Sequence, residues 1–106
     1  MKTQHYNKLV RDKIPEIIVA AGQRPTWQPL SDADYFIALK QKLQEEVTEF
    51  NNDQTVEELA DILEVILTLS SLLGANAAQL EKLRLNKREQ RGGFDQQIFL
   101  SKVERI

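Results

Sequence analysis

Apolar side chains recur along the middle of this chain at intervals of three and four residues. Phe36, Leu39, Leu43, Val47 and Phe50 form one series; Leu59, Ile62, Leu63, Ile66, Leu69, Leu72 and Leu73 form another. That spacing lines apolar groups along one side of an α-helix and predicts two long amphipathic helices. The punctuation agrees. Ser31 precedes the first helix, Asp32 and Asp34 fall in its opening turn where they complement the helix dipole, and Asn51-Asn52-Asp53 ends it. Thr55 precedes the second, which stops at Gly74. The second series covers well over half of its helix's girth, so that helix is expected to be central, buried by several neighbours or by a second subunit.

Shorter elements flank this pair. Pro15 suits a first helical position and Gly22 a C-terminal cap, so EIIVAA between them predicts a helix of about two turns. GQRPTWQPL, with Pro25 and Pro29, reads as a loop. Asn76 caps a last helix with Leu80 and Leu83 inward, and Arg91-Gly92-Gly93-Phe94 terminates it. The tail QQIFLSKVERI alternates loosely and suggests a short strand paired with HYNKLV near the N-terminus. The expectation is an all-α, small helical bundle of about four helices with possible short terminal strands, one domain over residues 1–106.

Composition narrows the function classes. Of the 106 residues, 42% are apolar and 28% charged, as in ordinary globular proteins. The absence of cysteine excludes disulfides and thiolate metal sites. No apolar h-region follows the first residues, and the apolar-rich stretch 59–73 is interrupted by Asp61 and Glu64, so a cytoplasmic protein with no membrane partner is expected. The net charge of -2 hides an uneven distribution. Acids crowd the middle; Lys8, Arg11 and Lys13, and then Lys82, Arg84, Lys87, Arg88 and Arg91, lie toward the ends.

The crowded acids are the chemical clue. Gln44–Asp61 holds Glu45, Glu46, Glu49, Asp53, Glu57, Glu58 and Asp61. Like charges three or four residues apart on a helix cost roughly 0.2–0.5 kcal/mol per pair. At about 100° per residue, Glu46 falls at the edge of the apolar stripe of the first long helix and Glu49 about 60° beyond it, while Glu45 points away. On the second helix Glu58 lies among Ile62, Val65 and Leu69 with Asp61 at the margin, and Glu57 and Glu64 are directed elsewhere. Each helix thus turns one i, i+3 carboxylate pair inward, and buried carboxylates need protons, bases or a metal. No base is evident on the same arc near Glu46 or Asp61. An all-oxygen set suits Mg²⁺ or Mn²⁺ and, less well, Ca²⁺.

Other readings stand beside this one. Thr55-x-x-Glu58 also fits a capping box, which would occupy Glu58. A di-iron bundle normally uses Glu-x-x-His pairs, and the lone His5 is outside the acidic helices. A non-catalytic helical dimer, binding nucleotide or protein around a structural metal, is compatible with the sequence. No Walker A sequence is present, which rules out a P-loop mechanism.

Glu45-Glu46-x-x-Glu49 followed by Glu58-x-x-Asp61 resembles the EExxE…ExxD signature of the MazG-like, all-α nucleoside-triphosphate pyrophosphohydrolases, the superfamily of phosphoribosyl-ATP pyrophosphohydrolase. YNKLVRDKIPEII at 6–18 and LRLNKREQRGGF at 83–94 look like flanking blocks of a small subgroup described as house-cleaning enzymes for non-standard nucleotides. The resemblance implies a helical bundle that dimerises, or assembles further, through its long helices. It implies Mg²⁺-dependent hydrolysis of a nucleoside triphosphate to the monophosphate and pyrophosphate. Carried over, Glu46, Glu49, Glu58 and Asp61 are catalytic metal ligands and Glu45 a supporting acid. Lys8, Arg11, Lys87, Arg88 and Arg91 become candidates for the triphosphate, and direct nucleic-acid binding is not expected.

Overall fold

The computed structural model describes residues 2–106, and its regular structure is entirely helical. α1 spans Ile14–Ala20, α2 Asp32–Asp53, α3 Val56–Leu72 and α4 Ala77–Arg91. The sequence signals act where they stand. The Ser31 hydroxyl accepts from the Asp34 amide and the Thr55 hydroxyl from the Glu58 amide. Asn76 and Gln79 complete a reciprocal capping box on α4. Gln54 closes α2 in the left-handed conformation at φ 55°, and Gly74 and Gly92 follow α3 and α4 at φ 94° and 84°.

Only Gln54 and Thr55 separate α2 from α3, so the two helices turn back on one another as an antiparallel pair. Their contact is the centre of the molecule. Leu39 of α2 and Val65 of α3 are its buried apolar residues, joined by half-buried Phe36, Leu43, Phe50, Ile62 and Leu69. At the far end of α3 the buried Ser70 hydroxyl donates to the Ala75 carbonyl at 2.8 Å, pinning the turn into α4. That bond also satisfies a polar group that burial would otherwise penalise.

Two expectations are corrected. Several neighbours within the chain do not bury α3: α2 covers one side, α4 meets it weakly, and Leu59, Leu63, Leu72 and Leu73 are exposed, which leaves a second subunit as the other half of that expectation. α1 packs against no other helix, and α4 does not reach α2. The terminal strands do not form either. Among the described residues there is no strand; 2–10 and 98–106 run without helix or ladder, and the two ends find no neighbouring backbone to pair with. The Cα radius of gyration is 18.9 Å, against about 13 Å for a compact chain of this length. No helix among the described residues is long and apolar enough to cross a membrane.

Candidate metal centre

The α2–α3 pairing decides which acids meet. Glu46, Glu58 and Asp61 each offer a carboxylate oxygen, and these atoms all lie within 4.8 Å of one another. Oxygens around one octahedral Mg²⁺ are about 2.9 to 4.2 Å apart, so the separation of the three is of the order that a single ion would need. The donor set is hard and contains only oxygen, as Mg²⁺ and Mn²⁺ prefer.

Glu46 is the most enclosed acid, 6% exposed. Its Oε1 receives the Lys42 ammonium at 3.3 Å, while Oε2 is buried with no hydrogen-bond partner. Glu58 Oε2 is in the same condition. Two inward carboxylate oxygens therefore lack any donor from the protein, an arrangement that costs free energy unless something else supplies positive charge. Thr55 resolves the capping alternative in part. Its hydroxyl caps the Glu58 amide at 3.3 Å, but the Glu58 carboxylate does not reach back to Thr55 and stays directed toward the acidic group.

Electrostatics records the crowding. Burial pushes the Glu46 carboxyl above its ordinary 4.5; Lys42 opposes this, and Glu49 and Asp61 add to it. Glu58 is also pushed up, by burial first and then by Glu49, Asp53 and Asp61. Glu49 is thus close enough to act on both, although its oxygens are not among the three that converge.

Glu45 differs from its expected solvated position. It is half-buried and accepts from Lys8 at 3.2 Å and Lys42 at 3.4 Å. Burial alone would raise its carboxyl, but the two ammonium groups outweigh burial and hold it below the ordinary value. Lys42 was overlooked by sequence reasoning, which found no base on the arc. Its position one turn before Glu46 was the available signal. Asp53 was read only as part of a helix end; its place one turn after Glu49 was the corresponding sign.

The basic residues divide. Arg11 donates through Nη2 to Asp61 Oδ1 at 2.7 Å across fifty positions of sequence, and Lys8 holds Glu45, so the N-terminal segment is fastened to the acidic region. The α4 block is elsewhere. Arg88 pairs with Asp95 at 3.1 Å and Arg84 with Glu81. Lys87, Arg88 and Arg91, with Gly92, Gly93 and Phe94, line an open cleft of about 540 Å³ that includes none of the acids of α2 or α3. Within one chain the expected phosphate ligands on α4 are not brought to the acidic centre, because α4 diverges from the α2–α3 pair.

Comparison with known proteins adds little to this geometry. No family's sequence profile matches the chain, and no solved structure does. An uncharacterized protein of Mycolicibacterium smegmatis is 50% identical over 48 residues, which are 45% of this chain and 49% of that protein. The chain thus matches about half the length of that relative.

Proposed function

We propose that the protein is a Mg²⁺-dependent nucleoside-triphosphate pyrophosphohydrolase, releasing pyrophosphate and the monophosphate from a substrate class that includes non-standard nucleotides. The observation that carries the reading is the pair of buried, unpartnered oxygens, Glu46 Oε2 and Glu58 Oε2, beside Asp61. Their fit to a hard divalent cation supports the chemistry, and the resemblance of the EExxE…ExxD pattern supplies the reaction class.

In this reading Glu46, Glu58 and Asp61 hold the ion, and Glu49, set between Glu46 and Glu58 electrostatically, completes the shell or takes a proton from the attacking water. Bound Mg²⁺ would neutralise charge developing on the phosphate oxygens. Lys42 anchors Glu46 through its other oxygen and keeps Oε2 aimed inward. Arg11, already at the rim through Asp61, is placed to turn toward a phosphate, and Lys8 stands beside it on Glu45. A homodimer formed through the long helices and a cytoplasmic setting belong to the same proposal.

The test is pyrophosphate release from a broad panel of standard and modified nucleoside triphosphates, with and without Mg²⁺, beside Glu46→Gln and Asp61→Asn. Mg²⁺-dependent release that both substitutions abolish is the expected result. A folded protein that binds Mg²⁺ at these residues and hydrolyses nothing in the panel would replace the enzyme with a metal-stabilised binding module.

A further inference from the structure

α4 gathers four cations on one face. Arg84, Lys87, Arg88 and Arg91 follow an i, i+3, i+4, i+7 spacing and fall within an arc of about 100° around the helix axis. Like charges at these spacings repel. The helix dipole favours Arg88 and Arg91 in the last turn and offers little to Arg84 and Lys87 further back. Nearby acids do not balance the row either. Arg84 pairs with Glu81 and Arg88 with Asp95, whereas Lys87 and Arg91 have no acid within ion-pair reach among the described residues.

The turn after α4 is shaped around one of these cations. Gly92 leaves the helix at φ 84°, and Gly93 follows it. A Cβ at Gly93 would overlap the Arg88 guanidinium, so the missing side chain is what lets Arg88 lie against the turn. Asp95 fixes that guanidinium through Nη2 at 3.1 Å, and its remaining N–H groups can serve another acceptor. Phe94 lines the same cleft and is 96% exposed. An aromatic ring beside a row of cations is the combination that stacks a nucleobase and takes its phosphates by charge-assisted hydrogen bonds.

We propose that this cleft binds a nucleoside di- or triphosphate, with the phosphates along Lys87, Arg88 and Arg91 and the base against Phe94. Its volume of about 540 Å³ is ordinary for a small-molecule site. Arg84 and Arg91 stand about 10 Å apart along the axis, which suits a chain of phosphates better than a single one. One aromatic ring and a net charge of -2 fit one nucleotide better than a nucleic-acid strand, which needs a longer basic groove and successive rings. The resemblance to the pyrophosphohydrolases gives these cations to a substrate held on the metal. The cleft instead contains no carboxylate of α2 or α3, so nucleotide bound here needs no Mg²⁺ and is not hydrolysed here. The inference is independent of the metal centre and of catalysis.

The test is calorimetric titration of the intact chain with ATP and with inorganic tripolyphosphate, both in EDTA so that no divalent ion is present. ATP should bind once per chain, and Lys87→Ala and Arg91→Ala should each weaken it roughly tenfold. Gly93→Ala changes no charge and should also weaken it, because the new methyl displaces the Arg88 guanidinium. Phe94→Leu should weaken ATP roughly tenfold and leave tripolyphosphate unchanged. These side chains are exposed, and Gly93 is outside the left-handed region, so the variants keep the fold. Lys102→Ala removes an exposed cation outside the cleft and should change nothing. Four results would overturn the site. They are no ATP binding in EDTA, equal losses from Lys102→Ala and Lys87→Ala, the same response of ATP and tripolyphosphate to Phe94→Leu, and a single-stranded RNA bound more tightly than ATP in proportion to its length.

Discussion

Lys42 and Glu46 stand one turn apart on α2 with Nζ 3.3 Å from Oε1, and that single ion pair leaves the second oxygen of Glu46 buried and bare. The lysine does half of what a buried carboxylate needs. It fixes the side chain and offsets part of its charge, and it leaves Oε2 buried without a partner in a residue whose carboxylate clusters with those of Glu58 and Asp61. A complete set of protein donors would have made a structural ion pair. The incomplete set is what the proposed cation site rests on.

Glu46→Gln separates these roles. The amide cannot act as an anionic ligand, so Mg²⁺ affinity should fall by about 100-fold or more. Stability without metal should not fall in parallel, because the substitution also removes a carboxylate that burial disfavours. Isothermal titration with Mg²⁺ and thermal melts in a chelating buffer measure the two effects. Equal losses in both would mean that Glu46 serves the fold alone.

Acid should act in opposite directions on the metal-free and the metal-bound protein. Glu46 and Glu58 have folded-state values raised above 4.5, so folding favours their protonated forms. Their contribution to metal-free stability is fully present below that ordinary value and is lost as pH rises through the raised one. Mg²⁺ requires both deprotonated. The rise in Tm produced by Mg²⁺ should therefore be largest at neutral pH and shrink as pH falls through the raised values. Melts across pH with and without Mg²⁺ check this, and Glu58→Gln should flatten the metal-free profile.

Arg11→Ala should cost the metal-free fold less than about 1 kcal/mol, since the Arg11–Asp61 pair is largely open to water. The same change frees Asp61 Oδ1 from a competing cation, so Mg²⁺ should bind more tightly while nucleotide binds more weakly. Titrations of each ligand against the variant resolve the two. A variant with unchanged Mg²⁺ and nucleotide affinities would reduce Arg11 to a surface pair.

Leu39→Ala should cost about 2–5 kcal/mol, because Leu39 is 4% exposed in the one packed seam of the chain. In so small a core that loss is comparable to the stability of a whole domain. Chemical denaturation should show a lower midpoint, and Mg²⁺ should restore part of it by holding α2 to α3 through Glu46, Glu58 and Asp61.

Much of this was legible locally. Ser31, Thr55 and Asn76 cap the helices that their positions predict, because a cap needs only the next three residues. The 3.6-residue period put Glu58 inside the apolar face of α3 and Glu46 and Asp61 at the edges of theirs, for the same local reason. Lys42 was missed although it too is local, since attention to the acids hid the base one turn before them. Arg11 on Asp61 and Lys8 on Glu45 were beyond such reasoning, because nothing in a helical wheel says where an irregular segment fifty residues away will lie.

The sequence by itself determined four helices, their ends and the inward direction of the acids, all set by the period of side chains around one axis and by capping within a turn. Only the tertiary structure decided that α2 and α3 bring three of the four predicted carboxylates together, that Glu49 stays outside the three, and that the α4 cations stand apart. It also decided that α3 keeps apolar side chains uncovered and that the terminal segments find no backbone partner among the described residues. Those outcomes depend on which helix surfaces meet and at what angle, and apolar periodicity states that a face must be buried without stating against what.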